Sequence, residues 1–399
     1  MIESKNSSGI SQNINSLSVA PTSNDTFSDS LSLNTSLSYQ GSSDSVESQA
    51  LLSNPNPNPA ITSPAITPDF NGDGSTDKIW LNTQTGEVAV WLMNGENIDS
   101  AVVGTIESGW EFETADFNGD GKTDLAWRNQ STGENQIWLM DGLSITSQMS
   151  VESLDSSWDF SVGDFNGDFK SDYFWHNNST GENAVWLMDG TSIVDGGYLD
   201  STDSSYSYSI VDVNGDFTTD IFWHNNSTGE NSVWYVNGTQ ATGEALETFG
   251  AGWEFTPGYV DNGFTTDILW RNSATGENVV WTMNGSNATP VVLPELGAEW
   301  QAAAEGDFDG DGTTDILWHN GATGENLIWY ANGIEPNQVS LPATSADETA
   351  TTGDFNGDGV YDLMVRNQST GENTLVYLNG TPEPTYVPLS AVGPEWVTF

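Results

Sequence analysis

Residues 116–142 read DFNGDGKTDLAWRNQSTGENQIWLMDG, and variants of this stretch recur from Asp69 onward. The units begin at Asp69, Asp116, Asp164, Asp212, Tyr259, Asp307 and Asp354, a period of 47 or 48 residues. Self-similarity at such a period means a solenoid or a propeller. Inside the unit, short alternations such as Leu125-Ala126-Trp127-Arg128 and Gln136-Ile137-Trp138-Leu139 are bounded by Gly, Asn, Asp and Ser, which is strand patterning without a helical period. The unit predicts four strands: near Trp110 to Ala115, Asp124 to Asn129, Asn135 to Met140, and a weaker one after Asp141-Gly142. Seven units of four antiparallel strands are the arithmetic of an all-β, seven-bladed β-propeller.

All 17 Trp fall at three repeat positions. One set is Trp80, Trp127, Trp175, Trp223, Trp270 and Trp318; a second follows each by eleven residues, as Trp138 follows Trp127; the third is Trp110, Trp158, Trp253, Trp300 and Trp396. A two-residue hairpin at Thr132-Gly133 would place Trp127 directly opposite Trp138. Such a stripe reads first as filling between blades and second as a surface for stacking sugars.

Six of the seven units carry the loop D-x-N/D-G-D-x-x-x-D between the first two strands, and the fifth carries a degenerate copy. Oxygen donors at positions 1, 3, 5 and 9, with a backbone carbonyl at 7, form the hard all-oxygen set that Ca²⁺ takes. Gly at position 4, and often at 6, permits the left-handed backbone needed to wrap an ion. An EF-hand would need Glu at position 12 and flanking helices, whereas position 12 here is Trp80, Trp127 or Trp175. About six Ca²⁺ sites are expected. Their ligands are Asp69, Asn71, Asp73 and Asp77; Asp116, Asn118, Asp120 and Asp124; Asp164, Asn166, Asp168 and Asp172. The other three sets are Asp212, Asn214, Asp216 and Asp220; Asp307, Asp309, Asp311 and Asp315; Asp354, Asn356, Asp358 and Asp362. The fifth loop has Tyr259 and Gly263 in place of two ligands and keeps Asp261 and Asp267, so weak binding or none is expected there. Phe169, Phe217 and Phe264 occupy position 6 in three loops and leave their geometry open.

On these motifs the chain resembles the FG-GAP and VCBS repeat family over nearly all of residues 60–399. Similar loops occur in the propeller of integrin α subunits and in a fungal seven-bladed lectin. The resemblance implies calcium that stiffens blades rather than performing chemistry, in extracellular adhesion or carbohydrate-binding modules.

All three Arg and all three His share one repeat position: Arg128, His176, His224, Arg271, His319 and Arg366, with Leu81 in the first repeat. The position is either a blade-to-blade hydrogen bond, for example to Glu134 or Glu182, or a repeated ligand-binding pocket for a sugar or carboxylate. Catalysis finds little support, since the His lie in separate repeats and the paired carboxylates are already assigned to calcium. A polysaccharide lyase stays as the enzymatic alternative, and a purely structural or protein-adhesion propeller as the non-enzymatic one.

Composition narrows the partners. The chain has 57 Asp and Glu against 7 Lys and Arg, a formal charge of −50, which repels nucleic acid and anionic lipid. No apolar stretch is long enough to insert in a membrane, and Cys is absent. Residues 1–60, Ser- and Asn-rich and closing on the Asn-Pro run 54–59, predict a disordered segment and linker before a propeller spanning 61–399. The opening residues lack a basic region followed by an apolar one, so a secreted or surface location would use a route other than a standard signal peptide. A monomer that binds a glycan or another surface ligand is the expectation. Finally, Glu395-Trp396-Val397-Thr398-Phe399 matches an opening strand such as Trp110-Glu111-Phe112, and is expected to supply the inner strand of the first blade, the rival being a strand at Ala65 to Thr67.

Overall fold

The computed structural model describes residues 67–398 apart from 251, 262, 332–335, 346 and 379–382. The expected disordered segment and Asn-Pro linker lie outside the described residues. The described chain forms seven four-stranded antiparallel sheets and no helix, the seven-bladed β-propeller expected from the repeat.

Blade two is representative: its strands are Trp110–Ala115, Asp124–Asn129, Asn135–Asp141 and Ser144–Val151, paired in that order. Asp124–Asn129 is buried along its whole length because both faces of the sheet are covered by neighbouring blades. Ser144–Val151, at the rim, exposes most of its residues.

The second hairpin corrects one expectation. Asn129 Oδ1 accepts from the N–H groups of Ser131 and Thr132 at 2.9 and 3.0 Å, and Gly133 follows with φ +74°. This Asx turn lengthens the loop, so Arg128 pairs with Asn135 and Trp127 faces Gln136 instead of Trp138. Trp127 and Trp138 are diagonal neighbours, with ring centroids 5.1 Å apart and planes tilted by 50°.

The core lies between blades and not within them. Each of seven apolar clusters joins two consecutive blades. Trp127 and Trp138 of blade two pack on Ile79, Val88 and Val90 of blade one, while Trp80, Trp91 and Met93 of blade one pack on Phe355, Met364 and Leu375 of blade seven. The last of these contacts closes the ring. Nine indoles are among the largest fully buried side chains, so most of the Trp fill the space between blades. Truncating one such ring costs roughly 3–5 kcal/mol.

Ring closure follows the sequence expectation. Blade one contains Lys78–Asn82, Glu87–Asn94 and Asn97–Thr105, and its inner strand is Trp396–Thr398. Trp80 pairs with Thr398, Leu81 with Val397 and Asn82 with Trp396.

Candidate functional site

The acidic loops sit between the inner and second strands. In blade two, Asp116 accepts from Gly119 N at 2.7 Å with Oδ1 and from Gly121 N at 2.9 Å with Oδ2, folding the loop around its own carboxylate. Gly119 and Gly121 have φ +72° and +76°, the backbone that this wrap requires. Phe169 and Phe217 adopt the same conformation at φ +64°, and their N–H groups still reach Asp164 and Asp212 at 2.7 and 3.0 Å. Phe at position 6 therefore does not alter those two loops.

Position 9 plays a part that the sequence did not reveal. Asp124 is fully buried; its Oδ2 accepts from Phe117 N at 3.0 Å and its Oδ1 from Met140 N at 2.8 Å. One carboxylate thus pins the start of the loop to the end of the third strand. Asp77, Asp172 and Asp315 do the same. Burial raises the Asp124 carboxyl to about 7, against the opposing pull of the two amides. Asp220 rises to about 8 for the same first cause.

These residues fit a hard divalent cation. Asp307, Asp309 and Asp315 of blade six each place a carboxylate oxygen within 4.8 Å of the others. Elsewhere Asn118 Oδ1, Asp220 Oδ2 and Asp362 Oδ2, all at expected ligand positions, are buried without a hydrogen-bond partner. A buried oxygen of that kind carries a desolvation penalty that a cation relieves. The fifth loop departs: Gly263 and Phe264 are not left-handed, and Asp261 Oδ1 accepts from Gly263 N at 2.6 Å. Asp267 nevertheless pins that loop, accepting from Val260 N at 3.0 Å and Met283 N at 2.8 Å.

Neighbouring loops are bonded to one another around the ring. Thr123 N donates to Asp69 O at 2.9 Å, Ser171 N to Asp116 O at 2.7 Å, and Thr219 N to Asp164 O at 2.7 Å. The series continues through Thr266, Thr314 and Tyr361 and closes with Thr76 N on Asp354 O at 2.6 Å. The position-8 hydroxyl often returns a bond, as Thr123 Oγ1 does from Asp69 N at 2.8 Å. The repeated Ser or Thr at position 8 was the available signal.

The Arg and His position does not form an open ligand pocket. Arg128 is fully buried, donates to Asn135 Oδ1 at 2.9 Å and to the carbonyl oxygens of Asp155 and Trp158 at 2.8 Å, and lies over the Trp175 ring. Arg271 and Arg366 bond in the same way. His176, His224 and His319 meet Asn183, Asn231 and Asn326 through Nδ1 at 2.7, 2.7 and 2.8 Å. Backbone carbonyls of the segment entering the next blade, rather than Glu134 or Glu182, are the partners that join blades. Five of the six are buried, and His319 is half-buried.

One surface pocket, of about 270 Å³, lies where blade seven meets blade one and is lined by Trp80, Ala89, Trp91, Ser100, Val392 and Trp396 among others. The matching position to Ala89 in blade two is Gln136, whose side chain accepts from Trp138 Nε1 at 2.7 Å. The short side chain at 89 was the only signal in the sequence, and Ala184 shares it.

Fold and loops together define a repeat propeller with an acidic loop in each blade. Residues 69–127, 116–175 and 307–365 match the FG-GAP-like repeat family, and the chain is a β-propeller carrying FG-GAP-like repeats. No curated protein matches it by sequence. Among solved structures, a lectin from Agrocybe aegerita, described as recognising non-reducing terminal N-acetylglucosamine, is similar with a TM-score of 0.63 and 14% identity over 82% of this chain and 95% of the lectin. Prolyl oligopeptidase B from Galerina marginata is similar with a TM-score of 0.54 and 11% identity over 83% of this chain and 51% of that one. At these identities the likeness is one of fold.

Proposed function

We propose that the chain is a calcium-stabilised extracellular binding module that takes a glycan residue in the pocket between blades seven and one. The observation that carries this reading is the pocket, lined by Trp91, Trp396 and Ser100 over the buried Trp80. Aromatic walls with few polar groups suit the apolar face of a sugar ring. At about 270 Å³ the space suits one ring rather than a longer chain. The lectin named above supports the reading as a propeller of the same fold with a sugar ligand.

Calcium in six loops has a structural role here, with the ligand sets given above and the fifth loop left out. Extracellular modules bind Ca²⁺ with Kd of roughly 10⁻⁴–10⁻³ M, which suits a secreted or surface protein. A binding module fits better than an enzyme: the loop carboxylates are engaged by backbone amides, and each His is held in its own blade by an Asn.

Ala89→Gln tests the reading, because it installs the residue that blade two already accommodates. On a glycan array in calcium buffer the parent binds, and A89Q keeps its melting temperature and loses binding. Glycan binding unchanged in A89Q would overturn the pocket assignment. A melting temperature insensitive to excess chelator would overturn the calcium assignment.

A further inference from the structure

Position 6 of the loop is Gly in four blades and Phe in three consecutive ones: Phe169, Phe217 and Phe264 in blades three, four and five. Phe169 and Phe217 sit at φ +64°, a region that bulky residues rarely enter. The three rings are 78%, 59% and 78% exposed, so the strain is not offset by burial within the fold. The loops that carry them are contiguous, joined by Thr219 N to Asp164 O and by Thr266 N to Asp212 O. Strain without packing, repeated at one edge of the loop face, points outward to a partner.

Charge selects that partner. The exposed or half-buried acids on the three loops include Asp164, Asp168, Asp216 and Asp261. Their cation is Lys170, which is already paired with Asp189. Loading a divalent ion does not reverse the sign: three Asp in the blade-three loop against two positive charges leave −1, blade four gives the same, and blade five keeps Asp261 without an expected ion. Such an edge repels anionic lipid and gains nothing electrostatically from a neutral sugar. We propose that Phe169, Phe217 and Phe264 form a docking edge for a cationic polypeptide that carries apolar side chains. The edge is separate from the blade-one pocket, so the proposal stands or falls without it.

The test uses the full chain in calcium buffer and two synthetic peptides of equal charge, one alternating Lys with Leu and one alternating Lys with Ser. Replacing all three Phe by Gly installs the residue used in the other blades, so the melting temperature stays level or rises. The parent binds the Lys-Leu peptide, and the triple variant binds it more weakly by about ten-fold or more. Phe264→Ser, at an ordinary backbone conformation, loses part of the affinity, and the Lys-Ser peptide does not distinguish parent from variant. Lys-Leu affinity within about two-fold between parent and a folded triple variant would overturn the proposal. So would a Phe-dependent gain confined to neutral vesicles or to a glycan array.

Discussion

Arg366 of blade seven donates from Nη2 to the carbonyl oxygen of Trp396 at 2.8 Å, and Trp396 opens a strand that belongs to blade one. The same guanidinium lies over the Trp80 ring at 4.9 Å and bonds Gly393 O at 2.9 Å. The contact that joins every other pair of Arg-bearing neighbours therefore also closes the circle. Thr83 N on Glu395 O at 2.8 Å and Thr398 Oγ1 on Ile79 O at 3.0 Å reinforce the same seam.

Deleting residues 395–399 exposes the second strand of blade one and removes one acceptor of Arg366, the Trp396 carbonyl. The loss is several kcal/mol, since Trp396 and Val397 leave a packed interface and a buried cation loses a partner. A chemical denaturation curve in calcium buffer reads it, and a deletion variant with the parent's midpoint would contradict the seam.

Replacing Arg128 by Leu strands the carbonyls of Asp155 and Trp158 and costs about 3–5 kcal/mol. Arg128→His costs less, because His176 and His224 occupy this position and hold the Asn seven residues on. Arg128→Lys falls between them or worse, as an ammonium lacks the planar fork. The order of the three midpoints checks the linker role.

The glycine of the T-G-E-N turn has a steric reason. Gly181 is left-handed at φ +74°, and a Cβ there would collide with the carbonyl oxygen of Thr202, whose N–H bonds back to Gly181 O at 2.8 Å. Gly181→Ala is expected to cost about 3 kcal/mol or more, while Gly167→Ala, left-handed but with open space around it, costs about 1 kcal/mol. Equal losses at the two sites, measured by thermal melts, would contradict the argument.

Glu305 gives the fold a pH dependence apart from the loops. Glu305 lines a small recess between blades five and six with Pro257, Val260, Leu269 and Ile316, and desolvation raises its carboxyl from 4.5 to about 8. The folded chain keeps a proton that the unfolded chain has released, so the Glu305 contribution to stability is full below about 4.5 and is lost as pH rises to about 8. Glu305→Gln flattens that slope and is the more stable protein at alkaline pH by at least about 1 kcal/mol. Melts from acid to alkaline pH in saturating calcium check it; parallel profiles would refute it.

Period, strand boundaries and closing strand were legible because they rest on local alternation and on self-comparison; the Trp110–Ala115 and Asp124–Asn129 strands lie where the pattern put them. What escaped reading depends on backbone groups, which every residue shares. The Trp127 register turned on an Asx bond from Asn129, and the partners of Arg128 are carbonyls that no side-chain motif announces. The acidic loop was visible as chemistry, yet its ninth residue was read only as a ligand. Its bond to Met140 N crosses sixteen residues and has no compositional trace.

Asp267 carries a consequence for how such chains change over generations. Duplication hands each new repeat the same nine-residue loop, but only the ninth carboxylate is needed to hold loop and third strand together, as Val260 N and Met283 N attest. The first and fifth positions shape the loop tip through backbone amides, as Asp116 and Asp120 do, yet blade five replaces them by Tyr259 and Gly263 and remains a four-stranded blade. Blade five shows the two roles apart: it lacks two of the loop's oxygen donors and keeps its four strands.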